Sequence, residues 1–289
     1  MTPLLVLDVH YLCHRAFHTM KELSFRGEAT GVIFGFLKSL TLLKDEFGTD
    51  RVAFCFEHSH LLRRDVYPAY KRHRHQEQRT QEEQEARASL AGQIRQLRKQ
   101  YLPRIGFKNV FCFDGYESDD IMAVLAHATK PHEEETILVT ADSDLYQCLS
   151  PWVSIYSPQK QKMLTGDWFV CKYYIQPPQW AQVKALAGCA TDEVKGIPGV
   201  GEATALRYLQ GELKESSKAF QSIRSGEGLK IQKRNRRLVK LPYAECPTPV
   251  LREDCIDARE WRAVCAELGM RSLAGRAPIA TRRAHGKGS

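Results

Sequence analysis

Residues 115–144 constrain this chain more than any other stretch, because they set five carboxylates beside two short apolar runs. Glu117, Asp119 and Asp120 lie between Val110-Phe111-Cys112-Phe113 and the helix-like residues 121–126, and Asp142 and Asp144 follow Ile137-Leu138-Val139. Short apolar runs bounded by turn signals and alternating with helical patterns predict buried parallel strands in an α/β domain. Both acidic groups then fall just past the carboxyl ends of strands, where open α/β sheets bind ligands. Packed like charges repel, so some of these groups must take up protons unless cations neutralise them. Hard oxygen donors suit Mg2+ and Mn2+, and paired ions clamp the attacking and leaving oxygens of a phosphodiester. Asp is also a favoured helix N-cap. One cap per helix accounts for one carboxylate at each strand end, not for Glu-x-Asp-Asp and Asp-x-Asp.

The arrangement recurs upstream. Residues 4–7 read as a buried strand ending in Asp8, and Val52-Ala53-Phe54-Cys55-Phe56 reads as another ending in Glu57, so four predicted strands end in acids. Further strands are predicted at 136–141 and 153–156. Helices are predicted at 11–20, 30–47, 88–102, 167–174 and 180–186, with Trp168 and Trp180 assigned to the core.

Lys and Arg number 42 against 34 Asp and Glu, a formal charge of +8. That excess survives the acidic cluster, so the rest of the surface is more positive still, which suits a polyanionic partner. Residues 67–74 are basic with interleaved tyrosines: Lys and Arg pair with phosphates, and tyrosines stack on bases. Residues 76–85 carry no core-forming face and read as a solvated surface helix. Gly196-Ile197-Pro198-Gly199-Val200-Gly201 is a turn whose glycines admit a phosphate to the backbone and which opens a helix at Glu202. The basic run at 230–240, including Lys233 and Arg234, accompanies it. Lys38, Lys44, Arg63 and Arg64 are isolated basic residues of the kind that usually touch no phosphate. The nine cysteines are odd in number and lack a Cys-x-x-Cys pair, which fits reduced thiols in a cytoplasmic protein. No apolar run approaches the ~20 residues of a membrane span, and the start enters a strand without a charged leader.

These motifs together resemble one family. Asp8, Tyr11, Arg15-Ala16-Phe17-His18 and Thr30-Gly31-x-x-x-Gly35 are similar to the start of the 5′-nuclease domain of bacterial DNA polymerase I. Tyr70-Lys71-x-x-Arg74, Gly115-x-Glu117-x-Asp119-Asp120, Asp142-x-Asp144 and the 196–201 turn follow in the family's order. The wider group takes in flap endonucleases and stand-alone phage 5′-exonucleases with activity on RNA primers. The resemblance implies an α/β fold with a mainly parallel central sheet flanked by helices. It divides the chain into a nuclease core at 1–176, with a helical arch at about 67–101, and a helical DNA-binding region at 177–274 containing a helix–hairpin–helix. A basic tail at 275–289, read as disordered, completes the division.

The implied roles follow position by position. Asp8, Glu57, Glu117, Asp119 and Asp120 match carboxylates around a first metal site, and Asp142, Asp144 and Asp192 match a second. Lys71 and Arg74 match basic residues at the base of the arch that steer the scissile phosphate, with Arg15 and Tyr70 beside the DNA. Gly196, Gly199 and Gly201 match the element that holds the downstream duplex, with a K+ ion at the turn. The implied reaction is divalent-metal-dependent hydrolysis near the 5′ end of branched or nicked DNA, or of an RNA–DNA hybrid, by a monomer. One position departs: the family carries Gly-Asp-x-x-Asp where this chain reads Gly188-Cys189-Ala190-Thr191-Asp192, and a neutral thiol is a poor Mg2+ ligand. The alternatives are a branched-DNA-binding protein of the same fold with impaired catalysis, and a metal-dependent ribonuclease of the PIN-domain type.

Overall fold

The computed structural model describes residues 2–72 and 80–278. Among them ten strands run in chain order. The first five are β1 (Leu4–Asp8), β2 (Ser24–Phe25), β3 (Glu28–Ala29), β4 (Val52–Cys55) and β5 (Val110–Phe111). The others are β6 (Thr136–Val139), β7 (Val153–Ser157), β8 (Lys162–Leu164), β9 (Gly188–Cys189) and β10 (Val194–Lys195). Six of them form one sheet in the order β5-β4-β1-β6-β7-β8. Pairing is parallel from β5 through β7, and only β8 returns antiparallel, on Ile155, Tyr156 and Ser157.

β1 is central because both of its faces are apolar. Leu5 and Leu7 join one core with Phe36, Leu40 and Phe54, while Leu4 and Val6 join a second with Ile121, Leu125 and Leu138. Such doubly buried runs are the mark of parallel sheets covered by helices on both sides. Helices Val9–Met20 and Gly31–Phe47 cover the first face, and helix Ser118–Thr129 the second. β1 lies between β4 and β6, which follow it in sequence on opposite sides, so strand order reverses at the end of β1. Ligand crevices of open α/β sheets form at such reversals, and Asp8 stands there.

Between β4 and β5 lie a short helix, Leu62–Val66, and helix Gln81–Gln96, which passes into a π-helical turn at Leu97–Tyr101. Its start falls within the 76–85 stretch read as a solvated surface helix, and Thr80 and Glu83 form a capping box there: Thr80 Oγ1 accepts from Glu83 N at 3.2 Å, and Glu83 Oε2 accepts from Thr80 N at 3.0 Å. The first half of the helix is solvated, whereas Leu90 and Ile94 anchor its second half in the first core.

Helices Trp180–Ala187, Glu202–Leu209, Lys218–Arg224 and Gly226–Val239 follow β8 and build onto the second core. The last helix, Ala258–Glu267, packs elsewhere: Trp261, Val264 and Cys265 enter the first core beside Ile105 and Phe107. No helix among the described residues is long and apolar enough to cross a membrane. The basic tail largely lies outside the described residues, as does Arg74.

Candidate active site

The strand-end acids converge on one crevice. Asp8 closes β1 and caps the helix that follows, accepting from Tyr11 N at 3.1 Å. It also accepts from Thr140 Oγ1 at 3.1 Å and from Ser118 Oγ at 3.5 Å. Burial raises its pKa to about 6, and the neighbouring Asp142 adds repulsion. Asp142, at the end of β6, is raised by burial and then by Asp144. Glu57 follows β4 and lines the same crevice, with its backbone N–H on His10 Nδ1 at 3.2 Å.

Glu117, Asp119 and Asp120 open helix Ser118–Thr129, and their carboxylate oxygens lie within 4.8 Å of one another. They differ sharply in surroundings. Asp120 is fully buried and takes the fork of Arg63, the Tyr243 N–H at 2.7 Å and the Glu117 N–H at 3.1 Å. These bonds fix the corner, and one Asp120 oxygen remains within 4.8 Å of donor oxygens of Glu117 and Asp119. Glu117 receives Lys71, the Tyr70 hydroxyl at 2.6 Å and Arg63 Nη1 at 3.0 Å. Burial alone would push its pKa up, but Lys71 and Arg63 outweigh that and hold it below the usual range. Asp119 is the exception: among the described residues its Oδ1 is buried with no hydrogen-bond partner. Burial, then Glu117 and Asp120, push its pKa well up.

A second group gathers where β9 and β10 meet the sheet. Asp144, Cys189 and Asp192 also bring one donor atom each within 4.8 Å. Burial raises the Asp144 pKa against the lowering effect of Lys184. Burial, then Asp192, push the Cys189 thiol up to about 11.

Above the acids lies a cavity of about 1030 Å³. Asp8, Glu57, Glu117, Asp119 and Asp142 line one side, and Arg87, Arg95 and Arg98 line another. The arginines share a helix face with Leu90, Ala91 and Ile94, at intervals of three and four residues. That spacing was present in the sequence, but an exposed polar helix gives no reason to ask which way its arginines point. Lys71 also lines the cavity. It is more confined than a phosphate-steering lysine was expected to be, since its ammonium is tied to Glu117. Arg15 is exposed on the helix after Asp8.

The 196–201 turn sits between helices Trp180–Ala187 and Glu202–Leu209. Gly196 is required by close approach, because a Cβ there would meet Ala187 O at 2.1 Å. Gly199 is required by its φ of +77°, and Ile197 and Val200 bury the turn's apolar side. Nothing approaches Gly199 or Gly201 on the outer side. Lys233 is exposed on helix Gly226–Val239. Arg234, half-buried, also spans two elements: its guanidinium lies 4.9 Å from the Tyr67 ring centroid and donates to Lys195 O at 2.8 Å. Of the isolated basic residues, Arg63 and Lys44 are buried.

The fold and this crevice define an α/β protein with an acidic centre at the carboxyl edge of a mainly parallel sheet, faced by basic helices. Residues 3–174 match the family model described as 5′-3′ exonuclease, N-terminal resolvase-like domain. The chain belongs to that family. It is 34% identical over 208 residues to the thermostable DNA polymerase I of Thermus thermophilus, covering 71% of this chain and 24% of the polymerase. It thus spans about a quarter of the curated relative it matches. Among solved structures it resembles a bacteriophage T5 5′-exonuclease with bound divalent metal ions (zinc), at TM-score 0.71 and 19% identity over 83% of this chain and 90% of that one. It also resembles the T5 flap endonuclease in a pseudo-enzyme-product complex with DNA and metal ions, at TM-score 0.71 and 18% identity over 94% and 97%.

Proposed function

We propose that this chain is a divalent-metal-dependent, structure-specific 5′-to-3′ nuclease that hydrolyses phosphodiesters near the 5′ end of branched or nicked DNA. The observation that carries the reading is the partnerless buried oxygen of Asp119, set among Asp8, Asp142 and Glu57 beneath a wall of arginines. A buried carboxylate oxygen without a donor is costly, and an oxygen-seeking cation is the partner that fits it. The hard donor set favours Mg2+ or Mn2+. Asp8, Glu117 and Asp119 would hold the ion, with Glu57 and Asp142 close by. When bound, the ion supplies Lewis-acid chemistry to the phosphodiester.

The chain's own residues do the rest. Arg87, Arg95 and Arg98 would take the phosphates of a single strand entering the cavity, since guanidinium forks match phosphate oxygens. Lys71 holds Glu117 and keeps a positive charge in the cavity, with the Tyr70 hydroxyl on the same carboxylate; Arg74 is proposed as a further phosphate contact. The 196–201 turn offers free N–H groups at the start of helix Glu202–Leu209 to a duplex phosphate, with Lys233 beside it. The same reading takes in a K+ ion at the turn, RNA–DNA hybrids as further substrates, a monomeric state and a cytoplasmic setting, the last supported by the free cysteines.

The test is cleavage of a 5′-labelled flap duplex in Mg2+ and in Mn2+. Metal-dependent cutting that Asp119→Asn abolishes is the expected result. Tight flap binding without cutting in either metal would overturn the enzyme reading and favour the branched-DNA-binding alternative, for which Cys189 in the second acidic group is the specific support.

A further inference from the structure

Both carboxylates of the second acidic group already face an ammonium. Lys184, on helix Trp180–Ala187, lies 3.2 Å from Asp144 Oδ1 and donates to Ser143 Oγ at 3.2 Å. Its Nζ also sits 5.4 Å from the Trp180 ring centroid, and its side chain is only 13% exposed. Trp180 is fixed in the core beside Phe169 and Val183, so the lysine is delivered from a rigid element. Asp192 has Lys71 Nζ 3.7 Å from Oδ1 and the Tyr70 hydroxyl 3.5 Å from Oδ2. The third donor is Cys189, whose Sγ lies 3.1 Å from Thr191 Oγ1. A thiol is a soft ligand that Mg2+ and Mn2+ disfavour beside oxygen. These donors do not fit a second hard divalent ion: entry would require displacing Lys184 from Asp144 and accepting sulfur where an oxygen is needed. The first group meets cations too, Glu117 with Lys71 and Arg63, but it holds no sulfur, and among the described residues Asp119 Oδ1 is buried with no hydrogen-bond partner.

We propose that this chain holds one divalent ion tightly, at Asp8, Glu117 and Asp119, and that the Lys184 ammonium on Asp144 stands where a two-ion centre would hold the second. The proposal rests on the nuclease reading for the use made of that ion, but not for its count. A fixed ammonium neutralises the crevice permanently and needs no ion to be recruited. It is also a single charge where a divalent ion would bring two.

The experiment is titration of the intact chain with Mn2+ in the absence of DNA, with free Mn2+ followed by electron paramagnetic resonance. The parent is expected to bind one ion tightly, with any second ion roughly a hundredfold weaker because like charges brought close repel strongly. Asp144→Asn is expected to leave the count at one, and Asp119→Asn to abolish tight binding. Cys189→Asp combined with Lys184→Met is expected to bind two ions, whereas Lys184→Arg, which keeps the cation, stays at one. Two ions of comparable affinity in the parent would overturn the proposal, as would loss of an ion in Asp144→Asn. If the double variant fails to fold, judged by circular dichroism, the parent and Asp144→Asn decide the question alone. One tight ion without flap cleavage would overturn the nuclease reading and leave this proposal standing; two tight ions with cleavage would do the reverse.

Discussion

Arg63 and Asp120 meet as a two-pronged pair inside the protein, Nη1 to Oδ2 at 2.5 Å and Nη2 to Oδ1 at 2.8 Å, with side chains 2% and 0% exposed. Arg63 also donates Nε to Leu238 O at 2.8 Å and lies 4.9 Å from the Tyr243 ring centroid. One guanidinium therefore joins the arch base, the acidic helix start and the end of helix Gly226–Val239. Asp120 completes the corner by accepting from the Tyr243 and Glu117 N–H groups.

Removing either partner strands the other as a buried charge. Arg63→Met is expected to lower stability by about 3–5 kcal/mol, the usual cost of breaking a buried pair, measured by urea denaturation. Arg63→Met with Asp120→Leu should recover part of the loss, since the unpaired charge is gone. A loss below about 1 kcal/mol for the single variant, in the range of exposed pairs, would show that the pair is not closed in solution.

The raised carboxylates set a pH dependence with a definite sign. The Asp8 pKa stands at about 6 in the folded chain against an ordinary 3.8. The folded state therefore holds this proton more tightly than the unfolded one, and the associated stability is full below about 4 and lost as pH rises through about 6. The loss is at most about 3 kcal/mol for this residue, and Asp119 and Asp142 act in the same direction. A divalent ion reverses the balance by stabilising the ionised forms. Saturating Mg2+ is thus expected to raise the melting temperature more at pH 7.5 than at pH 5. Equal gains at both values would mean that the ion binds away from these acids.

The sequence made much of the sheet legible because four of its strands are short apolar runs followed by acids. Leu4–Asp8, Val52–Cys55 and Thr136–Val139 lie within two residues of their predicted ends. The edge strand Lys162–Leu164 is short and half-exposed, so no run of that kind announced it. Strand-end placement read Glu117, Asp119, Asp120, Asp142 and Asp144 as one acidic edge, joined by Asp8 and Glu57 at two further strand ends; of these, Asp8, Glu57, Glu117, Asp119 and Asp142 line one cavity. What could not be read was which acid is spent on which base. Asp120 with Arg63, Asp144 with Lys184 and Glu117 with Lys71 are separated by 57, 40 and 46 residues respectively, and such pairs depend on the tertiary path rather than on local pattern. The capping box of Thr80 and Glu83 was readable too, inside the 76–85 stretch read as a solvated surface helix.

The arginine wall should report itself through salt. Arg95 is exposed on helix Gln81–Gln96 and lines the cavity with Arg87 and Arg98. Arg95→Ala should leave the melting temperature unchanged and weaken binding of a flap substrate. If the residue meets one phosphate, the slope of log affinity against log salt falls by roughly one. A duplex without a 5′ single strand should bind as before. An equal loss on both substrates would move Arg95 from the single-strand path to general electrostatic attraction.

Asn235 couples two elements proposed to meet DNA, the 196–201 turn and the segment around Tyr67. It is fully buried, and its Nδ2 donates to Ala185 O and Lys195 O, both at 2.9 Å. Those carbonyls flank the 196–201 turn, while Arg234, one residue earlier, ties Lys195 O to the Tyr67 ring. The pair thereby sets the turn against the arch base. Asn235→Ala takes the side-chain donor from the Ala185 carbonyl, while Lys195 O keeps Arg234, a cost of about 1–3 kcal/mol. Because the turn also loses its anchor, duplex binding should weaken by more than the change in folded fraction allows, with the binding of a single-stranded 5′ segment unaffected. Asn235→Asp removes the donor while keeping the shape, and is expected to reproduce the loss. If Asn235→Ala destabilises the protein yet the folded fraction binds duplex as the parent does, the turn is held by Ile197 and Val200 alone and the coupling through Asn235 is structural only.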